Sequence, residues 1–124
     1  MGDLSKDFSR SEFACQGEGC CGGAAPVHPA LVNGLQQLRD KVGAPLTLSS
    51  GFRCVTHNAK VGGAADSQHT LGMAADVLCP AGWSPERLAM AAETVEVFRK
   101  GGIGIYPGRI HVDVRDGGPA RWRQ

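Results

Sequence analysis

The sequence lacks both a long apolar segment and an excess of charge of either sign. No apolar run approaches the ~20 residues that a membrane-spanning helix needs, and the polar segment 1–7 has no signal-peptide character. Thirteen basic and twelve acidic residues leave a formal net charge of +1. This balance gives no electrostatic basis for binding nucleic acid. We therefore expect a protein that is made in the cytoplasm, has no membrane span and binds no nucleic acid.

Aromatic residues are also scarce, whereas glycine is abundant. The 124 residues include four Phe, two Trp and one Tyr, against 18 Gly, which is about twice the average usage of glycine. Such a composition predicts many turns and close backbone approaches rather than a helical bundle. The length and the 42% hydrophobic content fit one folded domain. We predict a single domain over residues 1–124.

Two main helices are predicted. The first spans Pro29–Val42, where apolar residues recur at i, i+4, i+7 and i+11 along one face. The second begins at Ser84 and is ended by Gly101-Gly102. Residues 1–25 are predicted to form an irregular lead-in, rich in cysteine and glycine, that Phe13 anchors to the core.

Four strands and two irregular segments complete the prediction. The last two strands are joined only by Pro107-Gly108, which is too short for a crossover, so they must pair antiparallel. This order predicts an α+β fold with a mostly antiparallel sheet packed by two main helices. The strands are Pro45–Ser50, Gly72–Cys79, Ile103–Tyr106 and Arg109–Val114, and the irregular segments are Cys54–His69 and Asp116–Gln124.

A candidate metal site consists of His69, Asp76 and His111. Asp76 lies in an otherwise apolar strand, where a carboxylate is costly unless it is paired or bound to a metal. Two histidines and one carboxylate suit a catalytic zinc ion with an open fourth position, and other divalent metals suit the same set. The alternative is that an arginine pairs with Asp76 and the histidines are ordinary polar residues. The helical motif His-Glu-x-x-His is absent.

Several motifs together resemble the zinc D-alanyl-D-alanine carboxypeptidase family. That family includes peptidoglycan-cleaving endopeptidases and phage endolysins, and it shares its fold with hedgehog signalling domains. The resemblance runs from about Phe8 to Trp122. It is carried by Ser50-Gly51-Phe52-Arg53, His57-Asn58, Val61-Gly62-Gly63-Ala64, Ser67-Gln68-His69, Gly72, Ala74-Ala75-Asp76 and His111-Val112-Asp113.

The resemblance implies a hedgehog/DD-peptidase-like fold and the cleavage of peptidoglycan stem peptides by a zinc-activated water. One catalytic zinc ion would be bound by His69, Asp76 and His111. The cleavage would be that of a D-Ala-D-Ala carboxypeptidase or of an endolysin-type endopeptidase. Arg53 is expected to bind the substrate or the developing oxyanion, unless it forms a structural salt bridge. Ser67 is expected either to contact the substrate or to hold its own loop.

The sequence departs from the family at the general base. Some members have Glu-x-x-His at the last ligand, but Gly108 occupies the position of that glutamate here. Asp113 shares a strand face with His111, so it is a candidate for the base or for a partner that orients a ligand. The missing glutamate keeps open an alternative function as a non-catalytic zinc-binding module. A thiol-based redox protein is disfavoured, since no Cys-x-x-Cys motif is present.

The five cysteines leave several pairings open. Cys15, Cys20 and Cys21 form a cluster that would hold a structural metal together with Cys54 or Cys79, although an adjacent pair is unlike a Cys-x2-Cys knuckle. In an oxidising space, a disulfide is favoured instead, for example between Cys54 and Cys79 or between Cys15 and one of the adjacent pair Cys20-Cys21. We expect a monomer that acts on the cell wall after release, as a phage or prophage enzyme does.

Overall fold

A five-stranded sheet organises the fold. The computed structural model describes residues 2–64 and 67–124. The elements are α1 (Pro29–Val42), β1 (Leu48–Ser50), α2 (Val55–Lys60), β2 (Ala74–Leu78), α3 (Pro85–Glu93), α4 (Glu96–Arg99), β3 (Gly102–Tyr106), β4 (Arg109–Asp113), β5 (Ala120–Arg123), and short 3-10 helices at Arg10–Phe13 and Gln68–Leu71. The sheet order is β1-β2-β4-β3-β5, in which β3 and β5 are parallel and the other neighbouring pairs are antiparallel.

The architecture is α+β with a mostly antiparallel sheet, as the sequence predicts. The strands Gly102–Tyr106 and Arg109–Asp113 pair antiparallel, which confirms the expected hairpin. Within the described part of the chain, no helix combines the length and the apolar character that crossing a membrane requires.

The two faces of the sheet have different roles, because successive side chains of a strand alternate between faces. Ile110 and Val112 belong to the hydrophobic core beneath the helices. His111 and Asp113 lie on the opposite face, where His111 is paired in register with Asp76 of β2. One face therefore supplies stability and the other supplies the polar site.

Helix α1 has the predicted bounds, Pro29–Val42. Leu31, Leu35 and Leu38 are buried on its inner face. At its start, the His28 side chain accepts a hydrogen bond from the Ala30 N–H, which satisfies one of the amides that a helix N-terminus leaves free. At its end, Gly43 adopts a left-handed conformation with φ of 72°, and glycine adopts it without strain.

The lead-in is tied to the core by aromatic side chains. Phe8 and Phe13 are each 1% exposed, and their ring centroids lie 6.2 Å apart. The Phe52 N–H donates to the carbonyl of Phe13 at 2.8 Å. A Cβ at Gly51 would clash with the backbone of Phe13, so glycine is needed for this close approach. The predicted anchoring role of Phe13 is confirmed.

Two predicted irregular segments contain regular structure. The segment Cys54–His69 includes α2, whose first turn is capped by the Cys54 side chain, and the first two residues of the 3-10 helix Gln68–Leu71. The tail includes β5, which pairs with β3 over Ala120–Arg123. Helix α2 and strand β5 have no apolar stripe, so hydrophobic periodicity does not predict them.

The second predicted helix is interrupted. It runs as α3 to Glu93, breaks at Thr94 and Val95, and resumes as α4. Val95 has an extended backbone (φ −94°, ψ 116°) although its side chain is fully buried. The apolar spacing continues across the break, which is why the sequence predicts one helix.

Candidate metal centre

Three chain segments bring His69, Asp76 and His111 together. His69 lies in the 3-10 helix that precedes β2, and the other two lie on paired strands. All three side chains are buried. Oδ1 of Asp76 lies 3.3 Å from Nε2 of His69 and 3.3 Å from Nδ1 of His111.

This donor set matches the requirements of zinc. Nitrogen and oxygen donors about 2.0–2.1 Å from a tetrahedral zinc ion lie about 3.3–3.4 Å from one another. The two measured distances of 3.3 Å agree with that value. Since the three side chains also line an open cleft, room remains for a further ligand.

Hydrogen bonds fix the orientation of both imidazole rings. Nδ1 of His69 lies 2.7 Å from the Gly51 carbonyl oxygen, an acceptor, so this nitrogen carries the proton and Nε2 is left as the donor atom toward a metal. Nε2 of His111 lies 2.7 Å from Oδ2 of Asp113. The Nδ1 atom of that ring is therefore the one left for a metal.

The electrostatics of the cluster favour a cation. Burial raises the pKa of Asp76, but the contacts of its Oδ1 with the two imidazole rings outweigh this and hold its pKa well below the usual range. Burial lowers the pKa of His111, whereas the hydrogen bonds with Asp113 and Asp76 raise it, with a net increase above 6.5. The site thus keeps Asp76 ionised, which is the form of a carboxylate that binds a metal ion.

Asp113 lies directly behind His111 and is fully buried. Oδ1 accepts hydrogen bonds from the Gly102 N–H at 2.8 Å and from Nε of Arg115 at 2.9 Å. Oδ2 contacts His111 and Nη2 of Arg115, each at 2.7 Å. Burial raises the pKa of Asp113, but the hydrogen bonds from His111 and Arg115 lower it by more. The net pKa of Asp113 therefore lies well below its usual range. Both oxygens of this carboxylate are occupied.

Arg53 extends over the other side of Asp76. Its Nη2 lies 3.3 Å from Oδ2 of Asp76, so the salt bridge considered for Arg53 is present. Its Nη1 and Nε donate to the side-chain oxygens of Asn58 and Ser50. Asn58 is buried and donates in turn to the Ala64 carbonyl oxygen. Arg53 is therefore held in place at the cleft rather than free to move.

Ser67 lies beside the site and caps the 3-10 helix that carries His69. Its hydroxyl oxygen accepts a hydrogen bond from the His69 N–H at 3.2 Å. It also lines the cleft. The contact shows that Ser67 holds its own loop, and the predicted substrate contact stays a prediction.

An open cleft of about 550 Å³ lies over the candidate metal position. Among the described residues that line the cleft, the carboxylate is that of Asp76. The positive charge of the lining comes from Arg53, Arg109 and Arg115. The lining is formed by Arg53, Val61, Gly62, Gly63, Ala64, Ser67, Gln68, His69, Asp76, Tyr106, Arg109, His111, Arg115, Trp122 and Gln124.

An aromatic wall formed by Trp122 and Tyr106 borders the cleft, and no sequence motif predicted it. The Trp122 ring lies 4.9 Å from the His111 ring, centroid to centroid, and its Nε1–H donates to the Tyr106 hydroxyl at 2.7 Å. A Cβ at Gly104 would clash with the indole. The pairing of β5 with β3 brings Trp122 to the site, and the alternation Arg121-Trp122-Arg123 is the signal that would have indicated a strand.

Comparison with known proteins bears on the same residues. A family model described as Peptidase M15 matches residues 6–113, a range that contains every predicted site residue. A stretch of 44 residues is 50% identical to the zinc D-Ala-D-Ala carboxypeptidase of Streptomyces albus G. That stretch covers 35% of this chain and 17% of the length of the Streptomyces protein.

Proposed function

Because the chain belongs to the peptidase M15 family, we propose that it is a zinc-dependent peptidase that cleaves the stem peptides of peptidoglycan. The observation that carries the proposal is the convergence of His69, Asp76 and His111 at donor spacings suited to zinc, at the base of an open cleft. The partial match to a zinc D-Ala-D-Ala carboxypeptidase supports the substrate class.

We assign His69, Asp76 and His111 to one zinc ion. When bound in such a site, zinc lowers the pKa of a coordinated water to about 7 and polarises a peptide carbonyl. The protein's part is to hold three donors in place. The hydrogen bond of His69 to Gly51 and that of His111 to Asp113 keep the two donor nitrogens aimed at Asp76.

Arg53 is the residue we assign to substrate binding. Its guanidinium is held by Asn58 and Ser50 at the edge of the candidate metal position. A planar fork of donors suits a carboxylate, such as the end of a stem peptide, and equally a developing oxyanion. Ser67 is assigned to the same side of the cleft, where it holds the loop of His69.

We assign Asp113 to the positioning of His111. Its contacts with His111, Arg115 and the Gly102 N–H support this role. To act as a general base, the carboxylate would have to release at least one of these partners. Gly108, at the position of the family's glutamate, lies in the turn between β3 and β4 with φ of 73° and has no side chain for the task.

The test is digestion of purified muropeptides, with and without a chelator, by the wild type and by His111→Ala. We expect chelator-sensitive cleavage that zinc restores and that His111→Ala loses. A matched control is His28→Asn, which changes a histidine outside the cleft and retains a good helix N-cap. Release of a terminal D-amino acid identifies a carboxypeptidase, and internal fragments identify an endopeptidase. Zinc binding without any cleavage would overturn the proposal in favour of a non-catalytic zinc-binding module.

The proposed substrate also defines where the protein acts. Peptidoglycan lies outside the cytoplasmic membrane, so we propose action on the cell wall after release from the producing cell, as for a phage or prophage enzyme. All three proposed ligands come from one chain, which supports a monomeric enzyme.

A further inference from the structure

A second group of metal-binding side chains lies apart from the cleft. Cys15 follows the first 3-10 helix, Cys20 and Cys21 lie in the irregular lead-in, and Cys54 caps α2. The Sγ atoms of these four residues all lie within 4.8 Å of one another. None of the four lines the cleft described above.

The sulfur spacings match those of a tetrahedral metal centre. Four thiolates about 2.3 Å from one zinc ion lie about 3.8 Å from one another. The Sγ atoms of Cys15 and Cys20 are 4.0 Å apart, and those of Cys20 and Cys21 are 3.9 Å apart. We propose that Cys15, Cys20, Cys21 and Cys54 bind a second zinc ion with a structural role.

The convergence of all four sulfurs favours a metal over disulfides. Two disulfides require two close pairs, but they do not require the pairs to meet at one centre. Each cysteine of the group is a free thiol in the structure. The fifth cysteine, Cys79, lies outside the group, so the disulfide considered between Cys54 and Cys79 does not match the arrangement.

The chain around the cluster has little else to hold it. Residues 16–24 contain no large apolar side chain and no helix or strand. A hydrogen bond from the Cys15 N–H to the Ala24 carbonyl oxygen, 2.8 Å long, closes the loop. A loop without a hydrophobic core is where a structural metal contributes most to folding.

The surroundings of the cluster are shaped to admit four sulfurs. A Cβ at Gly17 would lie 2.7 Å from Sγ of Cys20 and 2.8 Å from Cβ of His57, so only glycine lets the loop approach α2 this closely. The His57 N–H donates to Sγ of Cys54 at 3.4 Å, so a backbone amide supports this sulfur as a ligand.

The position of the cluster gives the proposed zinc ion a further effect. Cys54 is the next residue after Arg53, whose side chain lies over Asp76. A metal bound by Cys54 would join the lead-in to the segment that carries Arg53. The ion would act on the cleft by fixing this segment, without contact with the substrate.

The experiment is zinc analysis of the intact chain purified under reducing conditions. We expect two zinc ions per chain, one for each group of ligands. Cys20→Ser and His111→Ala are each expected to lose one zinc ion and to keep the other, whereas the matched control Cys79→Ser keeps both. His111→Ala tests the catalytic site separately, so failure of the proposed function and failure of this inference give different results.

A second measurement avoids the risk that a cysteine variant does not fold. Cobalt(II) loaded into the wild type gives thiolate-to-metal charge-transfer absorption only where sulfur is a ligand, and His69, Asp76 and His111 supply none. We expect cobalt(II) to give this absorption. We also expect the absorption to disappear when zinc is added and replaces the cobalt ion. No such absorption with cobalt(II), an unchanged zinc content in Cys20→Ser, or disulfides found by mass spectrometry of the unreduced chain would each overturn the inference.

Discussion

Nε2 of His111 lies 2.7 Å from a carboxylate oxygen of Asp113, while Nδ1 of the same ring faces Asp76 at 3.3 Å. The imidazole therefore connects a fully buried carboxylate to a candidate metal ligand. Because the carboxylate accepts a hydrogen bond from Nε2–H, it fixes the tautomer that leaves Nδ1 available to a metal. The two residues lie two positions apart on β4, and this spacing places them on one face.

The first prediction concerns Asp113→Asn. The amide group cannot accept hydrogen bonds from Gly102, His111 and Arg115 together, so the hold on the His111 ring weakens. We expect roughly 10–100-fold weaker zinc binding. The measurement is the free zinc concentration that restores half of the muropeptide cleavage after chelation, which does not count zinc held by cysteines. Asp116→Asn, at an exposed position, is the matched control, and an unchanged half-point in Asp113→Asn would contradict the positioning role.

The second prediction concerns Arg53→Lys, which keeps the charge but removes the planar fork of donors. We expect kcat for muropeptide cleavage to fall by about 10²-fold while zinc content stays unchanged. Steady-state kinetics and metal analysis of the same samples check this. Arg87→Lys, at an exposed position of α3, controls for the general effect of replacing arginine. Wild-type kinetics in Arg53→Lys would show that the salt bridge with Asp76 is all that Arg53 provides.

The third prediction concerns Gly104→Ala. The added methyl group would collide with the Trp122 ring, so either β5 or the indole must shift. We expect a loss of about 1–3 kcal/mol in the free energy of unfolding, measured by urea denaturation. The same substitution combined with Trp122→Leu should cost less, because the smaller side chain leaves room. An equal penalty in both backgrounds would mean that Trp122 is not the obstacle.

The fourth prediction concerns pH and the pairing of β5 with α3. Nε and Nη2 of Arg121 each donate to the Glu93 carboxylate at 2.8 Å, and this hydrogen bonding lowers the pKa of Glu93 below 4.5. A carboxyl group with a lowered pKa in the folded state stabilises the fold above its unfolded-state pKa. The contribution is lost as the pH falls through the folded-state value.

The test compares the wild type with Glu93→Gln by thermal unfolding. We expect the wild type to be more stable at pH 7 and the difference to shrink as the pH is lowered below about 4.5. The difference at pH 7 should stay within the ~0.2–1 kcal/mol of an exposed ion pair. Glu18→Gln, at an exposed position of the lead-in, is the matched surface control. A gap that widens toward low pH would contradict the assignment.

The elements that the sequence predicts well are those whose apolar residues face one core. Helix α1 has a regular leucine stripe and a glycine in the C-terminal position. Both the helix and its end can therefore be predicted from the local sequence. Helix α2 has no such stripe, and Val55 is 77% exposed. Helix α2 is stabilised by the Cys54 cap and by its place in the folded chain. Both depend on the folded protein, so the local sequence pattern does not predict α2.

Strand β5 shows what local patterns leave out. Its alternation places two arginines on the helix face and Trp122 on the site face. Arg121 and Arg123 are exposed and do not look apolar in sequence, yet they pair with Glu93 and Glu86 of α3. The strand is therefore specified by ion pairs and by β3, both of them distant in sequence.

For the candidate site, the sequence predicts His69, Asp76 and His111 as ligands but not how they are arranged. The apolar surroundings of Asp76 already indicated a partner or a metal. Which nitrogen of His111 faces Asp76 depends on Asp113 and on the register of β2 with β4. The convergence of Cys54 with the cysteines of the lead-in likewise requires the fold, because it lies 33 positions after Cys21 in the chain.

The two outer strands of the sheet also bear on how the protein behaves at high concentration. An exposed sheet edge is a template for strands of other molecules, and long charged side chains on that edge oppose such pairing. Here β5 presents Arg121 and Arg123 along one edge, and β1 at the other edge is three residues long with a break in register. The described part of the chain therefore offers no long, flat apolar edge, and we expect the protein to resist edge-to-edge aggregation.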